Sequence, residues 1–446
     1  MEILRLTNNT DLMSRPSSRA RLTTGTRHEE SHRAAMAGTK PAPPPPPARG
    51  HPPGPRLPLG PILYILTLWG VSRVILTGVG VGARRWLGQV YGISNVQDFW
   101  GIGTGLVWLD IWSAWDSRWY YSIADKGYLA IPVDVTGYSP WAFFPLYPWV
   151  TQAAAMVVGN LYVAALLVSN VFLLIGAWFL YQLVEHHHGG AMARRAVLFM
   201  FLFPTAYVFS CLMTESLFLA LSVGAWYYAR RGNWFLAGAL GMGSAMTRLV
   251  GLFMAPLLAL LYLQQRQWRL SRIRPNALWI GLVPVGLGVF VAFCYLMTGN
   301  PLQFVEAQGS GWTTSRVNPL WVLWWSFTHA WDGMARHGIF GEVGGHLALG
   351  YGALASIVVT GMLLWGRKRI GPLLCLWSVA VILISLAAHL DSAQSMPRYL
   401  VVLFPLYMIL ASLRAGSAVF AITVAMLTLL QAATFALWTT GWRMAV

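Results

Sequence analysis

The residues best suited to do chemistry lie in the segment 115–120, which reads Trp-Asp-Ser-Arg-Trp-Tyr. One carboxylate, Asp116, stands there among aromatic side chains and a single arginine. The segment follows the first apolar run of membrane-spanning length, about 20 residues, and precedes Phe-Phe-Pro-Leu-Tyr-Pro at residues 143–148. An acid close to hydrocarbon costs free energy unless it is paired, and such acids tend to be functional. Asp116 is therefore a candidate for acid or base chemistry on a lipid-borne substrate.

The residues around Asp116 follow helical spacing. Residues 106–125 predict a helix at the membrane interface, in which Asp116, Trp119 and Tyr120 share one face. Asp110, six positions before Asp116, would point about 120 degrees away on a continuous helix. The two acids are therefore not expected to form a face-to-face pair.

An aromatic belt at the lipid headgroups offers an alternative account of this segment. Such a belt explains the tryptophans, but it does not explain an aspartate embedded among them. If the segment is instead a site, its candidate substrate contacts beside the catalytic Asp116 are Trp115, Trp119, Tyr120 and Asp110.

Three arginines are candidates for binding a phosphate, because a guanidinium group presents forked donors that match phosphate oxygens. They are Arg118, Arg248 and Arg398. The alternative is internal pairing, for example of Arg398 with Asp391 and of Arg248 with Glu215.

Glu215 follows Thr214 at a corner between two apolar runs. Thr214 could cap the following helix, and Glu215 would be favourable in its first turn. A contact with substrate is the second interpretation of Glu215, and the sequence leaves both open.

The composition restricts the class of protein. The chain has 446 residues, of which 56% are hydrophobic and 10% charged. Its apolar runs predict an all-α polytopic membrane protein with about eleven spans. The spans are predicted at 58–82, 159–184, 196–213, 214–229, 234–247, 249–265, 276–298, 346–366, 370–389, 398–413 and 416–440.

The net charge of +16 comes from arginines that lie between apolar runs or in the N-terminal tail. This distribution indicates membrane orientation and not nucleic-acid binding, because cytoplasmic loops retain Lys and Arg. With the N-terminus inside, basic residues fall in alternate connections, at 194–195, 230–231, 266–274, 367–369 and 414. The remaining connections are then extracytoplasmic, and the two large ones are the outer loops 83–158 and 299–345.

Residues 1–57 are polar, basic and rich in proline, and they cannot bury an apolar core. We predict a disordered cytoplasmic tail, which could bind a cytoplasmic partner through its proline-rich segment. Residues 58–446 are predicted to form the transmembrane domain.

The sequence predicts neither a cofactor nor a metal site. The cysteines Cys211, Cys294 and Cys375 lie singly in apolar runs. Three histidines at 186–188 favour a solvated cytoplasmic turn over a metal tract, and there is no glycine-rich phosphate loop. The acids and histidines of the second outer loop have no recognisable ligand spacing: Asp332, His337, Glu342 and His346.

Four motifs in order along residues 110–405 resemble the PIG-V-like family, mannosyltransferases of the GT-C membrane class whose eukaryotic members add the second mannose to the glycosylphosphatidylinositol precursor. The motifs are Trp115 to Tyr120 with Ile123, Ala124, Gly127 and Tyr128, followed by residues 143–148; residues 214–218 and 227–232; residues 237–252; and residues 397–405.

This resemblance implies a GT-C-like bundle in the plasma membrane with an extracytoplasmic active site. It also implies a polyprenyl-phosphate mannose donor and an acidic base in the first outer loop, which corresponds to Asp116. The usage of Ala, Gly, Arg and Trp is typical of an actinobacterial chain, in which the acceptor would be another glycan, a glycolipid or a protein. One carboxylate with arginines at the phosphate would suffice for transfer with inversion.

Two other functions fit a chain of this kind. A transporter or flippase of lipid-linked sugars would also need arginines and aromatic residues, but it would place ionisable residues near the middle of the membrane and show internal repeats or paired broken helices. No internal repeat is evident in the sequence, and the acids fall in the predicted outer loops, which favours the enzyme. A membrane scaffold that presents its proline-rich tail is the third possibility.

Overall fold

A computed structural model describes residues 59–90, 102–133, 137–311, 318–339, 345–388 and 393–442. Residues Pro58–Val446 form one compact unit. The predicted tail, Asp391 and Glu342 lie outside the described residues, so the predictions made for them remain predictions.

Every regular element in the described residues is helical, and the α-helices are numbered here in chain order. They are α1 Leu59–Val90, α2 Val107–Asp110, α3 Ser117–Lys126, α4 Leu146–Val158, α5 Leu161–His188, α6 Gly190–Leu202, α7 Glu215–Arg230, α8 Trp234–Thr247, α9 Met254–Gln265, α10 Leu282–Thr298, α11 Gln303–Gly311, α12 Pro319–His337, α13 Gly345–Trp365, α14 Arg367–Ile370, α15 Pro372–Ala388, α16 Met396–Leu400, α17 Phe404–Leu410 and α18 Ala418–Thr439.

Five helical segments in the described residues are long and apolar enough to cross a membrane, and a sixth span results if one bent pair is counted as a unit. The five are Leu59–Trp86, Leu161–His188, Pro275–Thr298, Gly345–Trp365 and Ala418–Thr439. The predicted class of an all-α polytopic membrane protein is therefore confirmed.

All eleven predicted spans overlap helical elements, but the spans 196–213 and 398–413 are interrupted, and five of the helices are short. Helices α6, α7, α8, α9 and α15 have 12 to 17 residues, or about 18–26 Å at 1.5 Å per residue. Helix α7 packs against α5 and α8, and 13 of its 16 residues are buried. Because protein encloses α7, it does not need the length of a helix that faces lipid.

The single helix predicted over residues 106–125 is wrong. Helix α2 ends at Asp110, and α3 begins only at Ser117. The Asp110 carboxylate accepts hydrogen bonds from the Thr104 amide and hydroxyl, both at 2.7 Å, while the Ser113 hydroxyl donates to the Ile102 carbonyl at 3.1 Å. These local bonds compete with the helical pattern and fold the chain back on itself.

The basic connections predicted to be cytoplasmic lie at one end of the bundle. The Tyr64 hydroxyl donates to the Arg194 carbonyl at 3.0 Å, and the Arg195 side chain donates to the Ala411 carbonyl at 2.8 Å. The Arg230 side chain lies 3.3 Å from the His187 ring. Helix α7 runs from Glu215 at the opposite end to Arg230 at this one. The bias of positive charge predicts that this end faces the cytoplasm.

This orientation can be tested by labelling from outside the cell. Asp125 and Arg231 are both exposed and lie at opposite ends of the bundle, and the native cysteines Cys211, Cys294 and Cys375 are buried. In a background without native cysteines, we expect a membrane-impermeant maleimide to label Asp125→Cys on intact cells. Arg231→Cys should react only after permeabilisation, because the membrane shields it. The reverse pattern would contradict the orientation.

Candidate active site

Four charged side chains form one continuous chain of ion pairs at the end of the bundle opposite the basic connections. Asp116 Oδ2 accepts from Arg398 Nη1, and Glu215 Oε1 accepts from Arg398 Nε. The same Glu215 oxygen also accepts from Arg248 Nη1 at 2.6 Å. Acid and base alternate along this chain, so its formal charges cancel. The structure thereby brings together the predicted base and two of the three predicted phosphate-binding arginines.

The four groups differ in their access to solvent. The side chain of Glu215 is fully buried, those of Arg398 and Arg248 are 5% and 9% exposed, and that of Asp116 is 23% exposed. Buried charges are tolerated only when partners satisfy them. Glu215 therefore holds the two arginines from its fully buried position. Asp116 is the most exposed of the four side chains, so a substrate can reach it most easily.

The backbone before α3 sets the position of Asp116. Trp115 has a positive φ of 59°, which costs free energy in a bulky residue. Its indole nitrogen donates to the Trp438 carbonyl at 3.3 Å, so contact with α18 helps to hold this conformation. Asp116 occupies the N-cap position of α3, but its side chain makes no cap hydrogen bond. Its carboxylate is directed to Arg398 instead.

Arg398 lies in a broken helix. Helices α16 and α17 belong to a pair bent by 70°, and Pro405 lies in the first turn of α17. Proline has no backbone donor for a continuing helix, which accounts for a break before it. The Pro397 carbonyl accepts from the Thr205 hydroxyl at 2.8 Å. The single span predicted over residues 398–413 is therefore interrupted where it brings Arg398 to the acids.

Arg248 is positioned by a tight turn after α8. Its backbone is extended, and a 3-10 helix follows at Leu249–Phe253. Gly251 permits the turn, because a methyl group there would overlap the Ser244 carbonyl. The Arg248 guanidinium lies 4.7 Å from the centroid of the Tyr399 ring, a favourable cation-π distance.

Glu215 lies in the first turn of α7, as the sequence predicted, but Thr214 differs from the capping prediction. Thr214 occupies the N-cap position of α7, but its side chain does not cap the helix. Its hydroxyl lies 3.5 Å from the Tyr120 hydroxyl instead. Burial raises the pKa of Tyr120 to about 12, so this phenol remains protonated at neutral pH. The pairing of Glu215 with Arg248, which the sequence offered as an alternative to phosphate binding, is present.

A cavity of about 150 Å³ opens beside the ion pairs. Asp116, Arg248 and Arg398 all line it, whereas Glu215 does not. The volume is smaller than the roughly 300–1,000 Å³ of sites that enclose a whole drug-sized ligand, so the cavity suits the reacting groups and not an entire lipid-linked sugar. Its other lining residues are mostly aromatic or apolar: Tyr120, Ala142, Phe143, Phe144, Thr247, Leu249, Val250, Gln308, Ile384, Ser385, Ala388 and Tyr399.

Besides Glu215, four predicted site residues lie outside this lining. Asp110 is buried and bonded to Thr104, and Trp119 stacks on Phe143 with ring centroids 5.6 Å apart. Trp115 is directed to α18, and Arg118 is exposed. The turn between α2 and α3 carries Asp110 away from the cavity, whereas Arg118 lies two positions from Asp116 and from Tyr120, a spacing that places it on another face of α3.

Sequence reasoning did not name Gln308, Ser385 or Tyr399 as site residues. Tyr399 directly follows the candidate Arg398 in one of the motifs, so its position next to a predicted site residue could have identified it. Gln308 comes from α11 and Ser385 from α15, and neither stands in a distinctive pattern. Among the described residues, no group of three or more His, Cys, Asp or Glu side chains could hold a metal ion.

Solved structures that are similar to much of this chain include two of the same protein. One is the crystal structure of ArnT from Cupriavidus metallidurans bound to undecaprenyl phosphate, with 15% identity and a TM-score of 0.43 over 73% of this chain and 70% of that one. The other is ArnT from the same organism in the apo state, with 16% identity and a TM-score of 0.43 over 73% and 69%. No protein-family model and no curated protein matches the sequence. A likeness of this extent carries no argument about activity, and membership of the PIG-V-like family remains a prediction from the motifs.

Removing the charge of Glu215 should destabilise the fold. Glu215→Gln leaves Arg248 without its buried partner and Arg398 with only one, and breaking a buried pair costs about 3–5 kcal/mol. We expect a clearly lower thermal unfolding temperature of the purified protein in detergent. Glu306→Gln is the matched control, because Glu306 is exposed and its substitution should change little. Equal unfolding temperatures for both variants would contradict the anchoring role of Glu215.

Proposed function

We propose that this protein is a GT-C-type membrane glycosyltransferase that uses a polyprenyl-phosphate sugar as donor and a hydroxyl group as acceptor. One observation carries the proposal. Asp116, a partly exposed carboxylate, lines the same cavity as Arg248 and Arg398. The transfer needs a base to accept the hydroxyl proton and cations to stabilise the departing phosphate, and these three side chains can supply both.

The arginines suit the leaving group. A polyprenyl phosphate departs as an anion, and preorganised cations stabilise charge that develops there. Arg248 and Arg398 are already oriented by Glu215, so little reorganisation is needed as the phosphate leaves. In this scheme Glu215 is a positioning residue that acts through the arginines, and it does not contact the substrate.

Asp116 is proposed as the general base. Its carboxylate takes the proton of the acceptor hydroxyl, and the acceptor oxygen forms a bond to the anomeric carbon of the sugar. The bond between that carbon and the phosphate oxygen breaks, and its electron pair leaves with the polyprenyl phosphate. A single displacement of this kind inverts the configuration at the sugar carbon.

The rest of the lining fits a donor that is sugar at one end and hydrocarbon at the other. Tyr120, Phe143 and Tyr399 can pack on a sugar ring, while Leu249 and Ile384 offer apolar surface for the first isoprene units. We propose mannose as the sugar, an actinobacterial plasma membrane as the location and its extracytoplasmic face as the side of reaction. The PIG-V-like motifs and the basic connections at the opposite end of the bundle support these assignments. The acceptor would be a glycan, a glycolipid or a protein.

A transporter of lipid-linked sugars is the second candidate, and two observations favour it. The pair formed by α16 and α17 is bent, and an arginine, Arg73, lies near the middle of α1. An enzyme transfers sugar in detergent solution, whereas a transporter only moves the lipid between leaflets. The reaction of purified protein with radiolabelled polyprenyl-phosphate mannose and a native lipid extract therefore distinguishes the two.

Asp116→Asn should abolish transfer. The amide cannot accept the hydroxyl proton, and loss of a general base lowers rates by about 10²–10⁴-fold. The measurement is initial rate with labelled donor, with thermal unfolding as a check on folding. Asp125→Asn is the matched control, since Asp125 lies on the same helix but is exposed outside the cavity. Full activity of Asp116→Asn would remove Asp116 from its role.

Arg248→Ala should raise the donor concentration needed for half-maximal rate by roughly tenfold or more, because a charge-assisted hydrogen bond contributes about 1.5–3 kcal/mol. Glu215 would still be paired with Arg398, so the protein should remain folded. Arg118→Ala is the control, as Arg118 does not line the cavity. A change confined to Arg118→Ala would reassign the phosphate to the exposed arginine.

A further inference from the structure

A second cavity, of about 190 Å³, lies between α1, α2, α5 and the 3-10 helix Ala206–Ser210. None of its lining residues lines the proposed reaction site. The lining combines aromatic, apolar and polar side chains with one arginine: Trp69, Arg73, Thr77, Trp108, Leu109, Trp112, Leu166, Asn170 and Ser210.

Arg73 is the unexplained group in this cavity. It belongs to the membrane-spanning segment Leu59–Trp86, and its three guanidinium nitrogens are buried with no hydrogen-bond partner among the described residues. The guanidinium carbon lies 5.7 Å from the Trp112 ring and 5.8 Å from the Phe201 ring. Aromatic faces attract a cation, but they do not neutralise its charge.

Three polar neighbours of Arg73, namely Trp69, Asn170 and Ser210, hydrogen-bond to one another. Asn170 Oδ1 accepts from Trp69 Nε1 at 2.8 Å and from Ser210 Oγ at 2.6 Å. Asn170 Nδ2 donates to the Leu166 carbonyl at 2.8 Å. Both lone pairs of the amide oxygen are thus used, and no acid is among the described residues that line the cavity. Water could accept hydrogen bonds from Arg73, but it carries no compensating charge.

We infer that this cavity binds the phosphate group of a second ligand, with Arg73 as its principal donor. A guanidinium held away from water favours an anion with several acceptor oxygens, and phosphate provides them in a geometry that matches the fork. The cavity volume of about 190 Å³ is several times the roughly 30 Å³ that a water molecule occupies in the liquid, so its size is compatible with a phosphate group.

The surroundings favour a lipid as the carrier of this phosphate. Val74 is 75% exposed, Trp108 is 53% exposed and Leu167 is 47% exposed, so apolar surface flanks the cavity on α1, α2 and α5. A lipid can place its chains against these residues and its phosphate at Arg73. Free phosphate arriving from water is the other source, and binding measurements separate the two.

The test measures binding and requires no turnover, so it does not depend on the proposed glycosyl transfer. The full chain is purified in a neutral detergent, and its affinities for farnesyl phosphate, dioleoyl phosphatidylglycerol and inorganic phosphate are measured. Farnesol serves as the probe without phosphate. Arg73→Met removes the charge but keeps an unbranched apolar side chain, and Arg73→Gln repeats the test if the first variant does not fold. Arg231→Met is the matched control at an exposed arginine.

We expect Arg73→Met to weaken binding of at least one phosphate probe tenfold or more, with farnesol binding unchanged and Arg231→Met like the wild type. Loss confined to the two lipids assigns the site to a lipid phosphate, and an equal loss for inorganic phosphate assigns it to the free ion. In an Arg248→Ala background, Arg73→Met should still weaken binding of the same phosphate probe. This result is expected whether or not the first cavity binds a donor.

Two results would overturn the inference. The first is unchanged affinity of Arg73→Met and Arg73→Gln for every phosphate probe. The second concerns Asp98, which lies outside the described residues. If Asp98→Asn destabilises the wild type but not Arg73→Met, then Asp98 is the counter-charge of Arg73 and no ligand is needed.

Discussion

The ion pairs that join Asp116, Arg398, Glu215 and Arg248 are the constraint on which this end of the molecule depends. Their members are far apart in the sequence, with residue numbers that differ by 282 for Asp116 and Arg398 and by 183 for Arg398 and Glu215. A buried charge without a partner costs several kcal/mol, so each of these segments is stabilised only where the others are present. The loop before α3, the start of α7, the turn after α8 and the broken α16 are thereby fixed in one arrangement.

The same constraint prepares the chemistry that we propose. Glu215 contributes a single oxygen to both arginines, which orients two guanidinium groups toward a shared cavity. Asp116 joins the chain through Arg398 and remains the most accessible of the four. A network that is neutral overall can be buried, and it can still receive an anionic phosphate, because each guanidinium has more donors than the acids occupy.

Arg73 is also a buried charge, but its guanidinium has no hydrogen-bond partner among the described residues. At the first cavity each described charge has a charged partner, whereas at the second the guanidinium has only aromatic faces beside it. A cation in a spanning helix costs free energy unless something compensates it. The two cavities therefore differ in charge: the ion pairs at the first cancel, whereas the guanidinium at the second keeps its positive charge, which is the basis for inferring that it binds a phosphate.

The class of the protein and its most informative residues can be read from the amino-acid sequence. Runs of apolar residues favour helices, because a helix satisfies its backbone groups within its own segment, and all eleven predicted spans overlap helical elements although two of them are interrupted. An acid such as Asp116 or an arginine such as Arg398 stands out in an apolar chain because a charge near hydrocarbon costs free energy unless it is compensated. Which of these residues contact one another depends on the three-dimensional fold. The break between α2 and α3 sent Asp110 away from the cavity, the bend at α16 brought Arg398 in, and Glu215 became an anchor below the site, because long-range pairing of buried charges outweighs the spacing of residues along one segment.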